Sequence, residues 1–318
     1  MREKKPKKRE FLRWIKFYCI PSWRDPKFTA IENELNKKRS KRKVFGKMLN
    51  PLTVLGTLII LIFIFIAIYV QWLTPYTRFE LTKLISTDPG PFSPPTINHP
   101  LGTTQNGWDI LGRILWGTRT ALIIGLSSIA ISVVIGTILG VIAAFFGGFI
   151  ENLIMRISDF ILLLPSLILA LIIIRLVGTQ IIYVVFALSF LGFPGYTRLV
   201  RSSVLQVKQN LYVKSAVTSG ANNFRVMFKH ILPNAISPLI IVTSSSIAYA
   251  ILSLSSIGFL GLSDPELIDW GYDISASLSR FWSAPFAALW PGLAIGIAAM
   301  GFMLLGDGLR DILDPRQN

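Results

Sequence analysis

Residues 51–73 run for 23 positions without one charged side chain, through an unbroken Leu-Ile-Ile-Leu-Ile-Phe-Ile-Phe-Ile core. At 1.5 Å per residue such a helix crosses the roughly 30 Å of a bilayer's hydrocarbon. No water reaches that depth, so the backbone has to satisfy itself, and a helix does so. Tyr69 and Trp72 stand near the far end, where amphipathic rings favour the membrane interface. Further apolar blocks follow at 121–146, 157–177, 181–193, 236–262 and 286–305. The block at 181–193 is the shortest, and Gly192-Phe193-Pro194-Gly195 reads as its helix-breaking end. Gly125, Gly136 and Gly140 in one block, and Gly292, Gly296 and Gly301 in another, let helices approach closely and suit packing against protein. With 52% hydrophobic and 15% charged residues, the chain is expected to be an all-α polytopic membrane protein of six transmembrane helices.

Charge sets the orientation. The formal net charge of +15 is concentrated in residues 1–50, where 17 Lys/Arg face 5 Asp/Glu, a net +12 that leaves only +3 for the other 268 positions. A basic tail beside a first span stays on the cytoplasmic side, near anionic lipid. Nucleic acid is not an expected partner, since no folded soluble unit carries a basic face. Six spans then put the loop 196–233 inside, with Arg198, Arg201, Lys208, Lys214, Arg225 and Lys229 and no acid. They put 263–285 outside, with Asp264, Glu266, Asp269 and Asp273 against Arg280. The connection 74–120, with Pro89, Pro91, Pro94 and Pro95, is also external and irregular. The expectation is an N-in, C-in multi-pass protein of the cell (inner or plasma) membrane, with a short cytoplasmic tail at 311–318. In the basic tail, Phe11, Leu12, Trp14, Ile15 and Tyr18 interleave with Arg9, Arg13 and Lys16 as in an interfacial helix, the alternative being a solvated charged tail. No cleavable signal peptide is expected, and Cys19, the sole cysteine, allows no intramolecular disulfide.

Few residues suggest chemistry on the chain itself. There is no GxxxxGK[ST] phosphate loop, no HExxH run and no nucleophilic Ser elbow. His99 and His230 fall on opposite sides of the membrane, so neither a metal site nor a catalytic residue is expected. Asp159 and Arg175 are ionisable groups in an apolar block, where charge is costly. Arg175, near the outer end, is the candidate contact on a translocation pathway. In the basic loop, 211–219 reads as a short helix, Gly220 as its sharp exit, and Pro233 as an interruption of the next helical stretch.

The run Lys214-Ser215-Ala216, then Gly220, then nine residues to His230-Ile231-Leu232-Pro233, resembles the EAAxxxG(x9)IxLP loop of membrane subunits of binding-protein-dependent ABC importers. Further stretches resemble the dipeptide/oligopeptide branch: His99-Pro100-Leu101-Gly102-Thr103 with Asp109, Arg113, Gly117 and Arg119; Asp159 with Pro165; Pro291-Gly292; and Gly306-Asp307-Gly308-Leu309-Arg310-Asp311 with Asp314-Pro315-Arg316. The resemblance implies a type I importer permease with a five-helix core over 121–310 and a coupling loop within 196–233. Tyr212, Lys214, Ser215, Ala216, Gly220, Ala221, His230, Leu232 and Pro233 would then meet the ATPase. It implies as partners a homologous second permease subunit, two ATPase subunits carrying ATP and Mg, and an extracytoplasmic substrate-binding protein, in contact with membrane lipid. The implied solute is a di- or oligopeptide, with oligosaccharides or metal chelates as alternatives. A secondary transporter is the competing class, but the span centres lack the Asp and Glu of coupling-ion sites. The chain departs from the family at Lys214, where Glu is common, at Ser215 for Ala, Thr104 for Asp and Trp108 for Arg. Lys214 reverses the charge offered to the ATPase, which implies a compensating acid on the partner or a solvated position.

Overall fold

The computed structural model describes residues 50–83, 89–264 and 266–313. The interleaved segment at 9–18, the rest of the basic tail and Asp314-Pro315-Arg316 lie outside the described residues. Nine helices carry the architecture among them: α1 Pro51–Leu73, α2 Ile110–Phe146, α3 Gly148–Leu163, α4 Ser166–Val177, α5 Ile181–Lys208, α6 Leu211–Thr218, α7 Ser237–Phe259, α8 Trp270–Ser277 and α9 Phe286–Leu313. Short turns join them, and the described residues hold no strand, only one isolated bridge between Thr103 and Asp109.

Five of these helices, α1, α2, α5, α7 and α9, are long and apolar enough to cross a membrane alone. The third apolar block is not one straight helix. It breaks at Leu164-Pro165 into α3 and α4, which meet at 91°. Lys208, at the end of α5, donates to the carbonyls of Ala144 and Phe145 at the end of α2, at 3.1 and 2.7 Å. The inner ends of α2 and α5 are therefore side by side. α5, at 28 residues, begins about 40 Å away, so α3 and α4 together return the chain across the membrane and complete six crossings. α3 lies at the inner boundary, where Asp159 pairs with Arg198 and Glu151 accepts from Arg201 Nε at 2.6 Å. Asp159 thus has a partner at the interface and does not stand alone in hydrocarbon.

Two expected boundaries are corrected. α5 does not end at Gly192-Phe193-Pro194-Gly195 but continues to Lys208, with Pro194 buried inside it. The helix stays continuous through it, packed against α2 where a Cβ at Gly136 would sit 2.8 Å from Phe193 O, and Ser132 of α2 donates to Ser189 O at 3.1 Å. α2 begins at Ile110, well before residue 121, because Asp109 caps it by accepting from Gly112 N at 2.6 Å. The irregular external connection therefore ends at Asp109.

The core has two centres. Ile124, Val184, Ile251, Ala298 and Phe302 pack in the outer and middle bundle; Val141, Val200, Val204, Val226 and Ile231 pack near its inner end. α2 and α5 are neighbours through Gly136 and Gly140: a Cβ at Gly140 would sit 2.7 Å from Thr197 O. Small residues allow this approach between helices that share no hydrophobic drive in lipid.

Candidate coupling site

Asn210 turns the chain out of α5, and α6 follows over Leu211–Thr218. Its C-terminus closes as the sequence implies. Ala221 N donates to Ala216 O at 3.1 Å and Gly220 N to Val217 O at 3.0 Å, the paired bonds of a Schellman motif. Gly220 has φ +80°, and a Cβ there would meet no atom within 4 Å, so glycine is required by the backbone angle and not by lack of room.

The return strand of the loop is helical, not broken. Asn222 caps a turn at Asn223–Arg225, a π-helical turn spans Val226–Ile231, and Leu232–Ala235 continues towards α7. Pro233 has no N–H to donate, and in an α-helix its ring would press on the carbonyl of Lys229. The wider π turn just before it relieves that contact. The expected interruption at Pro233 is therefore a change of helix width.

One residue of α6, Val213, is buried; it joins Val226, Met227 and Ile231 against Val200 and Val204 of α5 and Val141 of α2. Much of the rest of the turn is open. Leu211 is 79% exposed and Phe224 66%, with Tyr212 and Val217 also exposed. Lys214, Ser215, Gly220 and Pro233 are exposed as well, while Ala216, Ala221, His230 and Leu232 are half-buried at its edges. The residues expected to meet an ATPase therefore all lie on this turn and are at least partly exposed. Arg175 does not join it: it is exposed in the last turn of α4.

At the outer rim the sequence motifs converge differently. His99 Nδ1 lies 3.1 Å from Asp109 Oδ1, while Asp109 Oδ2 caps α2. Arg113 donates through Nε to both carboxylate oxygens of Asp273, at 2.7 and 2.9 Å, and its guanidinium lies 4.5 Å from the Trp108 ring centroid. Trp270 Nε1 donates to Ile114 O at 3.2 Å, over Gly117. Asp269 caps α8, accepting from Gly271 N at 2.9 Å and Ser263 Oγ at 2.7 Å. Burial pushes its carboxyl up to about 6, and the neighbouring Asp273 adds to the rise. Sequence reasoning read Asp269 and Asp273 only as loop charges; their four-residue spacing, one helical turn, was the available signal.

These features define a class: an all-α, multi-pass membrane subunit with an outer rim tied by buried polar pairs and an inner surface left open. Residues 136–318 match the family described as the binding-protein-dependent transport system inner membrane component. The chain is 37% identical over 260 residues to the glutathione transport system permease protein GsiD of Pectobacterium atrosepticum, covering 81% of this chain and 85% of that one. It is 36% identical over 269 residues to the dipeptide transport system permease protein DppC of Alkalihalophilus pseudofirmus, covering 84% and 86%. A di/tripeptide transport system permease protein DppC of Pseudomonas aeruginosa is 36% identical over 263 residues, covering 82% and 87%. The chain belongs to this family: it is a type I ABC importer permease subunit, a multi-pass protein of the inner membrane. The family works with ATPase and substrate-binding components.

Proposed function

We propose that this chain forms half of the translocation pathway of an ATP-driven importer of short peptides. A homologous permease supplies the other half, an extracytoplasmic binding protein delivers the solute, and two ATPase subunits bind Mg and ATP and hydrolyse the nucleotide. The relatives named above carry glutathione, dipeptides or di- and tripeptides in their names, all short amide-linked solutes.

The observation that carries the coupling role is the exposed apolar surface of the inner turn. Leu211, Tyr212, Val217 and Phe224, distributed around α6 and the turn after it, favour burial against a partner. Lys214, Arg225 and Lys229 surround them with positive charge and no acid. The complementary ATPase groove is apolar at its centre and acidic at its rim, with an acid opposite Lys214. Motion of that groove on ATP binding moves α6, and the buried Val213, Val226 and Ile231 carry the displacement into α2 and α5. The permease then exchanges inward- and outward-open states whose populations the nucleotide biases.

Reconstitution tests this reading. Purified complex in vesicles is expected to take up short peptides only with ATP and the binding protein present. Uptake by the isolated chain driven by a proton or sodium gradient would contradict it.

A further inference from the structure

α7 presents a polar face at membrane depth. Val242, Ser246, Tyr249, Ser253 and Ser256 recur at spacings of three and four and so share one side of the helix. Tyr249 stands at the middle of α7 and is 62% exposed. A phenol left against lipid tails has no hydrogen-bond partner, which makes this side unsuited to lipid. The exposed Leu61, Ile62 and Phe65 of α1 show what a lipid-compatible face of this bundle looks like.

Two cavities adjoin that face. One of about 380 Å³ lies between α2, α4, α5 and α7, and all five α7 residues named above line it. No charged side chain lines it. The other, of about 430 Å³, lies between α7 and α9 and reaches Asp307 and Arg310 near the inner end. They share Val242, Ser246 and Tyr249, so the two spaces follow one another along a single face of α7, from the inner side towards the outer.

We propose that this face of α7 is the wall along which the solute passes, and that it contacts the main-chain amides of a short peptide. The proposal rests on the peptide reading above. Serine and tyrosine hydroxyls both donate and accept, so they match the N–H and C=O groups present in every peptide. The wall offers no fixed charge that would hold one kind of side chain at mid-membrane. It therefore reads the main chain and is indifferent to side-chain charge.

The full importer complex tests this in a Cys19→Ser background. Ser246→Cys and Ser253→Cys are treated with a water-soluble methanethiosulfonate, with Leu61→Cys as the lipid-facing reference. Water along α7 should make the first two react at least about ten-fold faster than the reference. Equal rates would mean that lipid or the second permease covers the face, and would overturn the proposal. Tyr249→Phe and Ser253→Ala are then assayed with short peptides from a casein digest, read by mass spectrometry. Losing one hydrogen bond should cut peptides moved per ATP hydrolysed about five-fold. A merely structural fault lowers complex recovery, ATP hydrolysis and uptake together and leaves that ratio unchanged; an unchanged ratio in both variants overturns the proposal. If the unaltered complex takes up no peptide with ATP, the peptide reading fails and the site with it. Uptake by the unaltered complex with unchanged ratios in the variants removes the site alone.

Discussion

At the outer rim Arg113 and Asp273 are 2% and 3% exposed, each satisfied by the other, and α8 is fixed beneath them by Trp270 and Asp269. At the inner turn Leu211 and Phe224 are the most exposed of the large apolar side chains, and Val213 alone of α6 is buried. Both regions are short helices held between longer ones. The difference is that the rim closes its polar groups on itself, whereas the turn leaves apolar surface for something else to cover. Stability is therefore expected to depend on the rim, and coupling on the turn.

That division can be broken by substitution, and the rim should give the largest effects. Arg113→Ala leaves the Asp273 carboxylate buried without its partner and should cost about 3–5 kcal/mol, read as a lowered melting temperature of the purified complex. A shift no larger than that of a surface variant would place the rim's stability elsewhere.

Next is the pH response of Asp269. Its folded value, about 6, lies above the unfolded carboxylate value of about 3.9, so the folded state holds the proton more tightly. The associated stability is fully present below pH ~4 and is lost as pH rises through about 6, on the order of 2–3 kcal/mol. Asp269→Asn should flatten thermal stability between pH 5 and 7.5, relative to the unaltered chain. A parent protein more stable at pH 7.5 than at pH 5, with the variant behaving alike, would contradict this origin.

The turn should give smaller changes in stability. Gly220→Ala forces a non-glycine residue to φ +80° and should cost about 1–2 kcal/mol, with the helix exit weakened. Val217→Asp alters a side chain that supports no packing in the bundle, so melting should move by less than about 0.5 kcal/mol. Its effect should appear in peptide-stimulated ATP hydrolysis, which falls sharply. A Val217→Asp variant that melts early but couples normally would invert the comparison.

Much of this was legible in the sequence. α1 was read at its observed ends because an uninterrupted apolar run leaves no choice of boundary. The helix over Leu211–Thr218 and the glycine exit at Gly220 were legible because a C-terminal glycine with φ above zero is a local, self-sufficient signal. Three features were hidden for a common reason: tertiary neighbours decided them. Pro194 stays inside a continuous helix that α2 packs against along this stretch. The break at Leu164-Pro165 lies in a run whose hydropathy reads as continuous. Arg113 read only as part of a family-like stretch and Asp273 as a loop charge, 160 residues away, until the fold brings them together. At the candidate site, the helix and glycine exit of the inner turn could be placed in advance, whereas the hydroxyl face of α7 could not. Serines spaced through a span fit helix packing as well as a pathway, and only the cavities beside Tyr249 separate the two.

If the inner turn couples transport to ATP, a nucleotide-hydrolysing partner completes it. A photo-crosslinking amino acid placed at Ser215 or Val217, in intact membranes with all components expressed, measures this directly. The expected product joins this chain to an ATPase subunit, in a yield that changes when ATP is added. Adducts only to lipid or to the second permease, with none to an ATPase from either position, would contradict the claim.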